Sequence, residues 1–438
     1  MKKRLMAMAM TAAMVMGTVA GASTVHAEDK ETFTIMHYWT DEVINQGNAE
    51  GITIQHAIDK FKEDHPELDV EVETITQDAG YETKIKTLAA ADELPDVFVA
   101  LPSMMNAFYD NGQILDLAPI LEEDTEWADS FSDGAFGDFT FGDTILGSPR
   151  CAIANSILFY NKEIFEECGI NEFPTNTDEF LDAVKTLKDH GYIPIADGNK
   201  SQYALASQVM PGILFKFASK DWYESVKNYE GASFEDEEPV AAINYLKELM
   251  DAGAFNEDMN SIDVDQAREL YYSKKAAMYC EGSWVIASFI ADCDQEVKDN
   301  TEVTIFPAAT GHEDLDDQIV SGQGWGFSVN SGISDEKQAL AIEFLKDMTS
   351  PEIQSEGVEL GLVSVLKDLT YDESKVDPLL KKFLTLFDSK TTKVGCPEVQ
   401  LGTDYMDASY TGYQELSVDA TTPEELAATL QEAHESAE

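Results

Sequence analysis

The chain has 438 residues, of which 83 are acidic and 29 basic, for a formal net charge of −54. That balance repels phosphate backbones and anionic lipid, so it excludes nucleic acid as a partner and disfavours a membrane surface. A basic docking partner or a cationic ligand would be drawn in over long range, while the plainest effect of such a surface is to keep copies of the chain dissolved and apart, as monomers.

Lys2, Lys3 and Arg4 open the chain, an apolar run follows from Leu5 to about Ala20, and the small-residue stretch GASTVHA ends at Ala27. This order reads as a secretory signal peptide over 1–27, cut before Glu28. Its apolar run is shorter than the roughly 20 residues of a membrane helix, and no later stretch reaches that length without charges. The processed chain is therefore expected to be exported, extracellular or periplasmic, with 26 basic residues against 83 acidic and a balance of −57. At 411 residues it exceeds what one hydrophobic core fills, so two domains are expected. No cysteine stands at the processing site to carry a lipid, the first being Cys151. The five cysteines, at 151, 168, 280, 293 and 396, are odd in number and contain no C-x-x-C pair. They read as small buried thiols, with one bridge, Cys280 to Cys293, left open.

From Phe33, FTIMHYW is an apolar strand, and a helix follows from about Ile52 to Asp64 with Ile54, Ile58 and Phe61 on one face. DVEVETI alternates as a strand to about Gln77, YETKIKTLAAA is helical, and DVFVAL after Pro95 is a short buried strand. Strand, helix, strand, helix, strand implies a mostly parallel α/β sheet, whose ligands sit at the carboxyl ends of the strands. Those ends are Trp39 to Glu42, Gln77 to Tyr81 and Leu101 to Ser103. The pattern restarts with IANSILFYN, then Asn176 caps a helix carrying Phe180, Leu181, Val184 and Leu187 that Gly191 ends. Further helices hold Tyr245 and Leu246, Leu270 and Tyr271, and Val285 to Ile290; TEVTIFPA and GWGFSVN return to strand before the helical KQALAIEFLKDM. This order fits two α/β lobes with interleaved sequence.

Catalytic and cofactor signatures are missing. GQGWGF lacks the third glycine of a dinucleotide fingerprint, and there is no P-loop, no G-x-S-x-G and no H-E-x-x-H. The seven histidines show no metal spacing, so no metal or other cofactor is expected.

Several fragments carry a resemblance: IQHAIDKFKEDHPELDVEVE, ELPDVFVA, NGQILDLAPIL, ILFYNKEIFEECGI with FPTNTDEFLDAVKTLKDHG, then KKAAMYCEGSW, SGQGWGFSVN and AIEFLKDMTSPEIQSEGVELG. In this order and spacing the chain resembles the extracellular sugar-binding proteins of ABC importers, the family that includes maltose-binding protein. The resemblance implies a type II periplasmic-binding-protein-like α/β fold of two lobes, with a ligand cleft between them that closes by hinge bending. It divides the chain into lobe 1, residues 28–145 plus 307–352, and lobe 2, residues 146–306 plus 353–438. It also implies a carbohydrate ligand, an oligosaccharide, delivered to the permease subunits of the importer, with no chemistry done.

Sugars need flat aromatic faces for stacking and carboxylates or amides for their hydroxyls. By the resemblance Trp284 in EGSW is the stacking aromatic, and Glu281, where the family has Asn or another polar residue, a hydroxyl contact. Trp39, with Asp41 and Glu42, ends the first strand; Asp78, with Gln77, follows the second; Tyr203 stands where relatives have a second-lobe aromatic. Trp325 lies among glycines that permit close approach. Tyr405 and Tyr410 are weaker aromatic candidates, and Arg150 reads as a hinge ion pair. Tyr271 and Tyr272 are a pair known from iron-binding relatives but fall in a helix where core aromatics belong. Two other readings stay open: a secreted glycosidase or lyase, since so many acids supply carboxylate pairs by chance, and a receptor for a polyamine or cationic peptide.

Overall fold

The computed structural model describes residues 30–77 and 80–436; the leader over 1–27 and Asp78 lie outside them. In chain order the strands are β1 (Glu31–His37), β2 (Leu68–Thr74), β3 (Val97–Ala100), the hairpin β4 (Thr140–Phe141) and β5 (Thr144–Ile145), β6 (Ile153–Ala154), β7 (Ile157–Asn161), β8 (Ile193–Ala196), β9 (Ala276–Glu281), β10 (Thr301–Ile305), β11 (Gln318–Gly322), β12 (Gly326–Val329) and β13 (Thr392–Val394). The first sheet runs β12-β3-β1-β2, with β1 parallel to both β2 and β3 and β12 antiparallel to β3.

Its core follows from helix spacing. The helix Ala49–Asp64 starts where the Asn48 side chain accepts from the Gly51 N–H, and it buries Ile54, Ala57, Ile58 and Phe61, one stripe at 3.6-residue spacing. Each large member of that stripe contributes about 1.5–3 kcal/mol of burial against Phe33, Phe98 and the helix Asp335–Met348. The chain thus builds its first lobe as the sequence periodicity anticipates.

The second sheet runs β10-β7-β9-β8, with β8 parallel to β9 and the other neighbours antiparallel. Apolar clusters line both of its faces, one around Phe180, Leu246 and Leu430 and one around Phe159, Phe289 and Phe383. Asn176 caps the helix Thr177–Asp189 by accepting from the Glu179 N–H at 3.0 Å.

A third sheet, β13-β11-β6, lies where the chain crosses between the lobes. Here the apolar run 153–161 departs from one continuous strand: Ser156 takes φ +60°, so β6 pairs with β11 while β7 joins the second sheet. Residues 318–322, given to lobe 1 by the sequence division, pair with β6 and β13, and Ile319 and Val320 lie in second-lobe clusters. Past Gly324, at φ +61°, β12 returns to the first sheet. All five cysteines are buried free thiols, Cys280 and Cys293 included.

Candidate functional site

The carboxyl end of β1 builds an aromatic wall. Tyr38 stacks on Trp39 with ring centres 3.9 Å apart and meets the edge of Trp325 at 5.1 Å, while Tyr81 stands 5.8 Å from Trp325. Behind this wall Trp39 is held in place: its indole N–H donates to Glu50 Oε2 at 3.1 Å, Arg150 Nη2 lies 3.3 Å from the same oxygen, and the guanidinium sits 5.2 Å from the Trp39 ring centre. This buried pair ties the start of the helix Ala49–Asp64 to the segment that leads into β6. His37, one residue before Tyr38, is buried with neither ring nitrogen bonded among the described residues, and burial lowers its pKa to about 4.

In the second lobe the carboxyl ends of the parallel strands β8 and β9 gather a second group. Glu281 ends β9, fully buried, where its Oε2 accepts from the Tyr279 hydroxyl at 3.1 Å and its Oε1 from the Gly282 N–H at 3.2 Å. Burial raises its pKa to about 7 against the pull of those donors and of Arg268. Asp197 follows β8, also buried, and burial likewise raises it to about 7. Its N–H donates to Asn256 Oδ1 at 2.8 Å, and the next residue, Gly198, packs so closely that a Cβ would stand 2.3 Å from the Asp263 carbonyl oxygen. Asn199 then accepts from the Leu205 N–H at 3.1 Å and starts a π-helical turn, Ala204–Val209, whose six residues are all buried. Such turns recur at functional sites because they redirect side chains within a helix. Trp284 lies over Gly282, with room only because that residue has no Cβ.

The two lobes touch elsewhere. Gln400 accepts from Tyr223 at 3.0 Å inside the second lobe and donates to Asp138 Oδ1 of the first at 2.8 Å, and Asp138 Oδ2 accepts from the Gln323 N–H at the crossing, 2.6 Å away. Tyr410 packs against the cores of both lobes and donates to Glu398 at 2.7 Å. The model of bacterial extracellular solute-binding proteins matches residues 47–355, most of the chain. The chain belongs to that family.

Two curated relatives of this solute-binding protein are the xylose/arabinose-binding protein XacG of Haloferax volcanii, 25% identical over 66% of this chain and 61% of that one, and the diacetylchitobiose-binding protein DasA of Streptomyces coelicolor, 27% identical over 61% and 59%. The chain thus spans about three fifths of the length of either. Among solved structures, a chitin oligosaccharide binding protein superposes with a TM-score of 0.83 at 22% identity, over 93% of this chain and 99% of that one. That likeness establishes the two-lobe fold. Family membership makes this an exported binding protein and not a catalyst, which removes the glycosidase or lyase reading.

The residues named from the sequence fall into three groups. Trp39 and Trp325 meet through Tyr38 in the first-lobe wall. Glu281, Trp284 and Tyr203 gather at the ends of β8 and β9, where Tyr203 precedes the π-helical turn and acts electrostatically on Tyr279. Asp41 and Glu42 stand exposed in the first turn of the short helix Asp41–Asn45, and Asp78 lies outside the described residues. Tyr405 is core, as is Tyr271, whose hydroxyl is 2.9 Å from Thr301 Oγ1. Among the described residues no His, Cys, Asp and Glu cluster could hold a metal ion. Sequence reasoning missed Tyr38, Glu50, Asp138, Asp197, Gln208 and Gln400. Of these only Asp197 carried a usable signal, an acid directly after a short apolar run ahead of a glycine.

Proposed function

We propose that the protein is the substrate-binding component of an ABC importer, that it takes an oligosaccharide between its lobes, and that the closed, loaded form is what the permease subunits recognise. The observation that carries this reading is the pairing of surfaces. The first lobe carries an aromatic wall of Tyr38, Trp39 and Trp325 and the second a strand end rich in buried acceptors, which is the combination a sugar's apolar ring face and hydroxyl rim require. The named ligands of XacG, DasA and the chitin oligosaccharide binding protein, all carbohydrates, support it. Trp284, Trp325, Tyr203 and Glu281 are the proposed ligand contacts, with Trp39 supporting the wall and Asp41 and Asp78 as further polar contacts proposed from the sequence. The lobes are 28–145 plus 307–352 and 146–306 plus 353–438, with β11 riding on the second; hinge bending at the crossings closes them, and the protein works as a monomer freed of its leader and held near the membrane by the importer.

Thermal unfolding of residues 28–438 with oligosaccharides, monosaccharides and polyamines tests the reading. A ligand at 100 times its Kd adds about 2.7 kcal/mol to the folded state, a rise of a few degrees. A selective rise with one sugar class supports the proposal. A rise with polyamines alone, motivated by the charge of −57, replaces it with a cation receptor.

A further inference from the structure

A buried oxygen that accepts no hydrogen bond is costly, so each one raises the question of what fills it. The second lobe holds two beside β9: Asp197 Oδ2, just past β8, and Gln208 Oε1, in the π-helical turn, on residues only 2% and 1% exposed. Both are fixed from behind. Asp197 is pinned through Asn256 and Gly198, and Gln208 donates its side-chain amide to Ser207 Oγ at 3.0 Å while its backbone carbonyl accepts from the Cys280 thiol at 3.3 Å. Asp197 in turn acts on Cys280 and Glu281, which places the two acceptors about one strand end. Among the described residues nothing donates to either oxygen. Glu281 has both oxygens occupied by donors of its own, and Arg268, the cation that acts on Glu281, is engaged by Asp265 at 2.8 Å.

We infer, resting on the carbohydrate reading above, that Asp197 and Gln208 are the acceptor pair of a second-lobe subsite that holds a neutral sugar ring by two free hydroxyls and rejects uronic acids. A hydroxyl brings the hydrogen that each oxygen lacks. A ligand carboxylate would bring no hydrogen and would face two buried acids, Asp197 and Glu281, across a poorly screening interior.

Isothermal titration of the 28–438 chain with maltotriose, xylotriose, cellotriose, mannotriose and trigalacturonic acid tests this. A neutral trisaccharide binds and trigalacturonic acid does not. For the sugar bound, Asp197→Asn weakens affinity ~10- to 100-fold, as loss of a hydrogen bond to a charged acceptor does, and Gln208→Met by ~3- to 10-fold. Without sugar, Asp197→Asn melts no lower than wild type, because it removes a buried charge whose desolvation outweighs its one backbone donor, the Gly198 N–H. Binding near pH 7 releases protons, read from the dependence of the heat on buffer ionisation, and Asp197→Asn diminishes that release. Unchanged affinity in both variants, or trigalacturonic acid bound as tightly as the neutral sugars, overturns the acceptor pair. Binding of no neutral sugar overturns the carbohydrate reading first, and the pair with it.

Discussion

Gly282 and Trp284 act as one unit at the carboxyl end of β9. A Cβ on Gly282 would stand 2.0 Å from Trp284 Cζ3, so Gly282→Ala must push the indole off its seat. We expect about 1–3 kcal/mol of lost stability from the overpacking, a changed tryptophan emission, and sugar affinity reduced together with it; an unmoved emission and full affinity would remove Trp284 from the stacking role. Glu281 beside it gives a pH signature with a definite sign. Burial holds its folded pKa at about 7, above the ordinary 4.5, so the folded state keeps the proton longer than the unfolded one. Its contribution is fully present below about pH 4.5 and is lost as pH rises through about 7. His37 acts oppositely: burial lowers it from 6.5 to about 4, so its contribution is present above pH 6.5 and lost as pH falls through 4. Melting curves of Glu281→Gln against wild type should therefore diverge in favour of the variant as pH goes from 5 to 8. A constant gap would mean that Glu281 titrates normally.

At the level of elements the sequence was most readable where periodicity is long. The stripe Ile54, Ile58, Phe61 and the Asn176 cap are local features, and both stand in the structure as read. The break at Ser156 was not readable, because a tertiary contact imposes it. Gly212, in the helix Met210–Leu214, lies so close that a Cβ would come within 2.5 Å of Ser156 Cβ and 2.8 Å of Phe306. A run of nine strand-forming residues cannot announce that its middle will turn against a glycine 56 positions on. The π-helical turn Ala204–Val209 escaped for a related reason, since over six residues its spacing is hard to tell from an α-helix. Site residues followed the same division. Tryptophans are rare enough for Trp284 and Trp325 to stand out, whereas Asp197 was one acid among 83 until burial singled it out. Gly212→Ala tests the imposed break: it should cost about 1–3 kcal/mol in urea unfolding, through strain where β6 and β7 part. A neutral result would show that the turn at Ser156 is set by its own chain.

For the whole molecule the decisive quantity is charge, −57 once the leader is removed. Glu82 of the first lobe shows how it bears on closure. Burial is the main cause of its raised pKa, and Glu398 and Asp407 of the second lobe raise it further, so acids oppose acids where the lobes meet. At 0.01 M salt the screening length is about 30 Å, as long as a lobe, and at 1 M it is about 3 Å. Low salt therefore lets the two lobes repel one another as whole bodies, and high salt confines the repulsion to neighbouring side chains. Closing on a neutral sugar should then become easier as sodium chloride rises from 0.01 to 1 M: affinity strengthens, and small-angle scattering of the loaded protein shows the compact form more completely. A cationic ligand must respond with the opposite sign, because its attraction is screened by the same ions. Affinity for the bound sugar that falls with salt would mean that attraction to charge, rather than lobe closure against self-repulsion, governs how this protein takes its ligand.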